Sequence, residues 1–242
     1  MTGCNVDEEP KESENATDSD IPADAAPRKR VAMTFDDGPH NVRTREIVDE
    51  LDKYGFTATF FVVGNRVDGG EYSGGKTVKY VIDHGHEVGI HGYTHNYYYD
   101  RCTDAEYANE INKTAAAIKS YAPDYNIKLM RPVGGYITGE RVQSSPYSVI
   151  MWNTDSFDYK SAYFPDDERY TDEEKTAMVN TIVENVMSNV KDGSIILMHD
   201  IYLSTSHATA IILERLNAEG YEVVSVSELL GDPQPGVKYN SK

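Results

Sequence analysis

Two adjacent carboxylates, Asp36 and Asp37, end the apolar run "VAMTF" and are followed by Gly38 and Pro39. Like charges side by side repel and add nothing to a core, so this position calls for chemistry. A "DDG" in isolation is an ordinary turn, but other reactive types follow. His91 and His95 stand four apart in "HGYTH", Arg131 opens "RPVGG", Asp158 lies in "DSFDY" and His199 closes "IILMH". On a helical turn His91 and His95 share a face and could grip one metal ion. Asp37 supplies a third ligand, and two His with one carboxylate leave an open position for water, as a catalytic Zn site requires. The same N/O donor set accepts Co or Ni. Neighbouring side chains at a strand end diverge, so one carboxylate can ligate while Asp36 faces the reacting water. Gly38 is expected to turn the backbone sharply behind them. Asp158 could orient the His199 ring and raise its pKa, making a general acid. Arg131 could hold Asp36 in a charge-assisted pair. Each of these last two pairings, taken alone, reads equally well as a satisfied ion pair.

The elements that must position these residues are legible as alternating patterns. Residues 31–35, 57–63, 87–92, 127–133, 148–154, 194–199 and 221–226 read as strands, most of them nearly continuous in apolar residues, as strands covered on both faces are. Between them lie helical patterns. Capping boxes are expected at Thr171–Glu174 and Thr103–Glu106. The second helix is expected to bury Tyr107, Ile111, Ala115 and Ile118. Helical patterns from Arg43 to Tyr54 and from Ala208 to Glu219 end at Gly55 and Gly220, which suit left-handed caps. Strand–helix alternation specifies a parallel α/β fold, either an open doubly wound sheet or a (β/α) barrel. No Gly-rich phosphate loop follows the first strand, which weakens the nucleotide-binding version. In a barrel, catalytic residues gather at the C-terminal ends of several strands. Five of the seven runs finish in ionisable residues and would converge on one rim.

The 242 residues fit one larger domain, expected over 28–232 with a short tail at 233–242. The formal charge of −17 argues against nucleic acid as a partner. No apolar run is long enough to span a membrane. Cys4 and Cys102 show no metal-type spacing. Residues 5–26 hold eight acids, one Lys and no aromatic residue, so they carry seven of the seventeen net negative charges. Such a composition cannot bury enough surface to fold, and residues 1–27 read as an acidic tether. "MTGC" resembles the end of a bacterial lipoprotein signal, which predicts lipidation at Cys4 and a place outside the cytoplasmic membrane.

"TFDDGP", the HxxxH pair, the Arg-Pro turn, the Asp-aromatic step and "LMHD", in that order, resemble the polysaccharide deacetylases of carbohydrate esterase family four, with the NodB-homology domain. The resemblance spans roughly residues 28–230 and implies a distorted (β/α) barrel with a groove for a glycan. It implies Asp37, His91 and His95 as metal ligands, Asp36 as base braced by Arg131, and His199 as acid oriented by Asp158. Leu197 falls where the family lines its acetyl pocket, and the Gly134 N–H where it supplies an oxyanion donor. Three departures stand out. Gly92 replaces the usual Ser or Thr, which implies a less rigid metal loop. Gly134 stands where the family has Tyr, and Tyr136 is expected to replace that ring. Tyr159 replaces Trp. The implied activity is removal of N-acetyl groups from N-acetylglucosamine in peptidoglycan or a chitin-like glycan. An acetyl-xylan esterase and a catalytically silent glycan-binding homologue are the alternatives.

Overall fold

The computed structural model describes residues 28–69, 74–96 and 99–242. The tether at 1–27 and Cys4 lie outside them. In chain order come β1 (Lys29–Asp36), α1 (Arg43–Asp52), β2 (Thr59–Val62), α2 (Gly64–Val67), α3 (Gly75–Asp83), β3 (Glu87–Ile90) and α4 (Asp104–Tyr121). There follow β4 (Leu129–Met130), α5 (Gly139–Ser144), β5 (Ser148–Ile150), β6 (Thr154–Asp155), α6 (Asp172–Met187), β7 (Ile195–His199), α7 (Leu203–Ala218), β8 (Tyr221–Val223), α8 (Val226–Leu230) and β9 (Lys238–Tyr239). No helix among the described residues is long and apolar enough to cross a membrane.

The strands pair in the order β6-β7-β1-β2-β3-β4-β5-β9, with β8 also on β1, and every ladder is parallel. This is a curled, single-domain (β/α) barrel-like sheet. The run at 148–154 is two strands, because its backbone changes partner. Val149 and Met151 donate to Val237 and Tyr239, whereas Asn153 donates to Ile195. Residues 233–242, set apart above as a tail, belong to the sheet: β9 pairs with β5, and Ser241 bridges antiparallel to Ser194 ahead of β7. Nine short strands therefore replace the expected seven among the described residues.

Burial explains the apolar runs. β1 is buried on both faces from Val31 to Asp36. The larger cluster lies between the sheet and its helices, while Ala32, Phe61, Leu129, Ile150 and Ile195 fill the barrel interior with Val226 and Leu229 of α8. Gly89 makes room there, since a Cβ on it would lie 2.6 Å from the Phe61 ring. α8 closes the end where strands begin: Val226 N–H donates to Thr59 Oγ1 and Ser227 N–H to Glu87 Oε2. The reactive rim is left at the opposite end. Both capping boxes form as expected, each worth about 1 kcal/mol at the Ncap. Gly55 and Gly220 are left-handed.

Removing residues 238–242 deletes β9 and the Lys242 N–H bond to Gly193. At about 1 kcal/mol per backbone bond this is expected to cost roughly 2–4 kcal/mol. The melting temperature by circular dichroism should fall by about 5–10 °C.

Candidate active site

β1 delivers both carboxylates to the rim, and the backbone separates them at Asp37 itself, whose φ is 73°. A non-glycine residue held there is strained, a state that surrounding structure must over-determine. Gly38 is outside the left-handed region, contrary to the turn expected of it. Its lack of a Cβ serves packing: a Cβ would lie 2.3 Å from Asp200 Oδ2. Asp200 is buried under the turn, accepts a bond from Thr44 Oγ1 at 2.5 Å, and is pushed up to about 7 by its burial.

Asp37, His91 and His95 converge, with one donor atom from each within 4.8 Å of the others. Asp37 Oδ1 lies 2.8 Å from His95 Nε2 and 3.4 Å from His91 Nε2. That oxygen is buried without a hydrogen-bond partner, an arrangement a cation would complete. Burial opposes the Asp37 charge, but contacts with His91 and His95 outweigh it and hold the carboxyl well below the usual range. His91 Nδ1 lies 2.9 Å from the Arg131 carbonyl, which assigns the proton to Nδ1 and turns the Nε2 lone pair to the cluster. The pair is not on a helical turn. His91 leaves β3 into a loop in which Gly92 (φ 77°) and His95 (φ 63°) are left-handed, and these reversals bring the rings to 5.7 Å. Two imidazoles and one carboxylate fit a divalent cation with a position open to water.

Asp36 and Arg131 form a buried pair. Arg131 Nη1 donates to Asp36 Oδ1 at 2.8 Å and to Thr34 Oγ1 at 2.7 Å. Its Nε and Nη2 donate to the carbonyls of Ile150 and Met151. Asp36 Oδ2 is left 3.7 Å from His91 Nε2, beside the cluster. Across the β1–β7 ladder, Asp36 is in register with His199. His199 Nδ1 lies 2.7 Å from Asp158 Oδ1, while Asp158 Oδ2 accepts from the His199 N–H and from Thr205 Oγ1, both at 2.7 Å. Burial lowers the His199 pKa, but the Asp158 carboxylate outweighs it and raises the ring to about 9.

Asp36, Asp37, His91, His95 and His199 line one cleft of about 500 Å³, together with Gly134, Leu197 and Tyr159, while Arg131 and Asp158 are fully buried and do not line it. Tyr136 is half exposed and is not among the lining residues. Trp152, Asp155 and Tyr202 complete the wall and were absent from the sequence-derived set. The lone Trp at the break of the 148–154 run, and a Tyr three residues after His199, were the available signals.

The polysaccharide deacetylase profile matches residues 23–146. The chain is 36% identical over 202 residues to the peptidoglycan-N-acetylmuramic acid deacetylase PdaC of Bacillus subtilis, covering 84% of this chain and 39% of PdaC. The solved structure of PdaC matches with a TM-score of 0.73 at 34% identity, over 84% of this chain and 91% of that one. This chain is 32% identical over 219 residues to the peptidoglycan-N-acetylglucosamine deacetylase PgdA of Listeria monocytogenes, covering 90% of this chain and 42% of PgdA. A family 4 acetyl xylan esterase from Clostridium thermocellum, solved with a cobalt ion, matches with a TM-score of 0.74 at 30% identity, over 88% of this chain and 98% of that one. The chain thus belongs to the polysaccharide deacetylase family. It spans about two fifths of the length of PdaC and PgdA.

Two outcomes are expected. Asp37→Asn should lose bound metal, whereas Asp36→Asn should keep it, as measured by metal analysis of the purified proteins after loading. Equal losses would show that the carboxylates do not divide the work. In metal-free protein, His199 should be protonated below about 9 and lose its charge as pH rises through that value. Asp158→Asn should move the NMR titration midpoint down toward the ordinary value of about 6.5.

Proposed function

We propose that this chain is a metal-dependent polysaccharide deacetylase that removes acetyl from N-acetylated hexosamine units of peptidoglycan, N-acetylglucosamine first among them. The observation that carries this reading is the pairing of two reactive groups, each with its own buried counter-ion, in one cleft with a three-donor cluster. Asp37, His91 and His95 would hold the cation. When bound, the ion supplies Lewis acidity and lowers the pKa of the attacking water. Zn is the expected ion, with Co or Ni compatible with the donors.

Asp36 is placed to take the proton of the attacking water, its other oxygen being held by Arg131. The hydroxyl oxygen bonds to the acetyl carbon, and the Gly134 N–H is the expected donor to the oxyanion, worth roughly 2.7–4 kcal/mol in comparable sites. Leu197 supplies an apolar wall to the cleft. The C–N bond then breaks as the His199 Nε2 proton passes to the departing nitrogen, giving acetate and amine. A positioned acid contributes about 10²–10⁴ in rate. Amines leave poorly unless protonated, so an acid oriented by a buried carboxylate suits an amide more than an ester. The names of PdaC and PgdA support a peptidoglycan substrate. The acetyl xylan esterase relative supports the O-deacetylating alternative. Cys4 behind Gly3, with its acidic spacer, supports lipidation and attachment outside the cytoplasmic membrane.

A chelator should abolish acetate release, and added Zn or Co should restore it. Under equal metal loading, N-acetylglucosamine oligomers and peptidoglycan fragments should be deacetylated faster than acetylated xylan. Turnover on xylan alone would assign the enzyme as an esterase, and no turnover on any of them would assign a binding role.

A further inference from the structure

The loop that joins the two His ligands is held by groups that sequence reading left out. The carbonyls of Gly92 and Tyr93 accept from the N–H groups of Gly64 and Asn65, at 2.9 and 3.0 Å. From the other side, the N–H groups of Tyr93 and Thr94 both donate to Glu110 Oε2 at 2.8 Å. Thr94 Oγ1 donates to Glu110 Oε1 at 2.8 Å, and Tyr99 Oη to Oε2 at 3.1 Å. Glu110 is buried on α4, so all four donors meet a desolvated carboxylate, where such bonds are strong. The same loop carries the left-handed Gly92 and His95. His95 has a Cβ, so its conformation persists only if the surroundings enforce it. Gly92 is itself required: a Cβ there would lie 1.9 Å from Tyr99 Oη. The absence of Ser or Thr after His91 therefore does not leave the loop slack. The Tyr99 hydroxyl fills that space and leads to Glu110.

We infer that Glu110, reached by Tyr93, Thr94 and Tyr99, is the positioning residue that sets where His95 presents its nitrogen to the cation. This rests on the metal site proposed above. Glu110 is not among the residues lining the catalytic cleft, and its hydrogen bonds to Tyr93, Thr94 and Tyr99 make it act through the loop. Supporting groups of this kind typically change metal affinity by about 10–100-fold when removed.

The test is Co²⁺ binding to metal-free protein, by competition with a chromophoric chelator at neutral pH and well below melting, with folding checked by circular dichroism. Glu110→Ala should weaken Co²⁺ by about 10–100-fold and alter the visible absorption of the bound ion. Glu110→Gln keeps an acceptor for the two backbone N–H groups and should stay close to the unaltered protein in both readouts. A merely structural role would lower the melting temperature of Glu110→Ala while leaving Co²⁺ affinity and spectrum intact, and that result overturns the inference. If Glu110→Ala does not fold, the Thr94→Val, Tyr99→Phe pair makes the same test: weaker Co²⁺ supports the inference, unchanged affinity overturns it. His95→Ala is the control. Co²⁺ binding that His95→Ala abolishes establishes the metal site separately, whereas no binding by the unaltered protein overturns both readings.

Discussion

The guanidinium of Arg131, fully enclosed in the barrel, is the constraint on which the site depends. A buried charge is tolerable only when it is paired and its remaining hydrogens are bonded. Here Asp36 supplies the opposite charge, and Thr34 and the carbonyls of Ile150 and Met151 take the other hydrogens. Phe61 packs across the guanidinium face at 4.4 Å. The backbone of Arg131 does further work, since its carbonyl orients His91 and its N–H donates to Ile90. One residue thereby fixes Asp36 on β1 and His91 after β3. Neither can shift without disturbing the interior.

The second reactive group follows the same logic with opposite sign. Asp158 is buried and spends its oxygens on His199 and Thr205. Its partner imidazole is the more exposed member of the pair and faces the cleft. In the reading proposed above, the carboxylate paired with Arg131 takes the proton and the imidazole paired with Asp158 delivers it. Asp36 and His199 end the adjoining strands β1 and β7, so the register of that ladder sets their separation.

Much of this was legible because it is local or chemical. The capping boxes at Thr103 and Thr171 are written in four consecutive residues each. The doubly covered strands show as unbroken apolar runs, and the ionisable residues at their ends are conspicuous by type. What escaped depends on distant partners. β9 is two residues long and exists because β5 offers an edge. Glu110 reads as an exposed helical acid until the loop donors around it are seen. It belongs with Ile111, Thr114, Ala117 and Ile118 on the buried face of α4, while Tyr107 and Ala115 are only partly covered. The conformation of 91–95 was missed because a spacing of four suggests a helix, and nothing local announces left-handed residues at 92 and 95.

Gly193 has an uncommon place in the architecture: its N–H donates to Arg30 near the start of β1, and its carbonyl accepts from Lys242. The first strand and the last residue thus meet at one point, ahead of β7, whereas His199 stands at the other end of that strand. Both ends of the described barrel are therefore rooted in its floor, at the opposite end of β7 from the His199 side of the cleft.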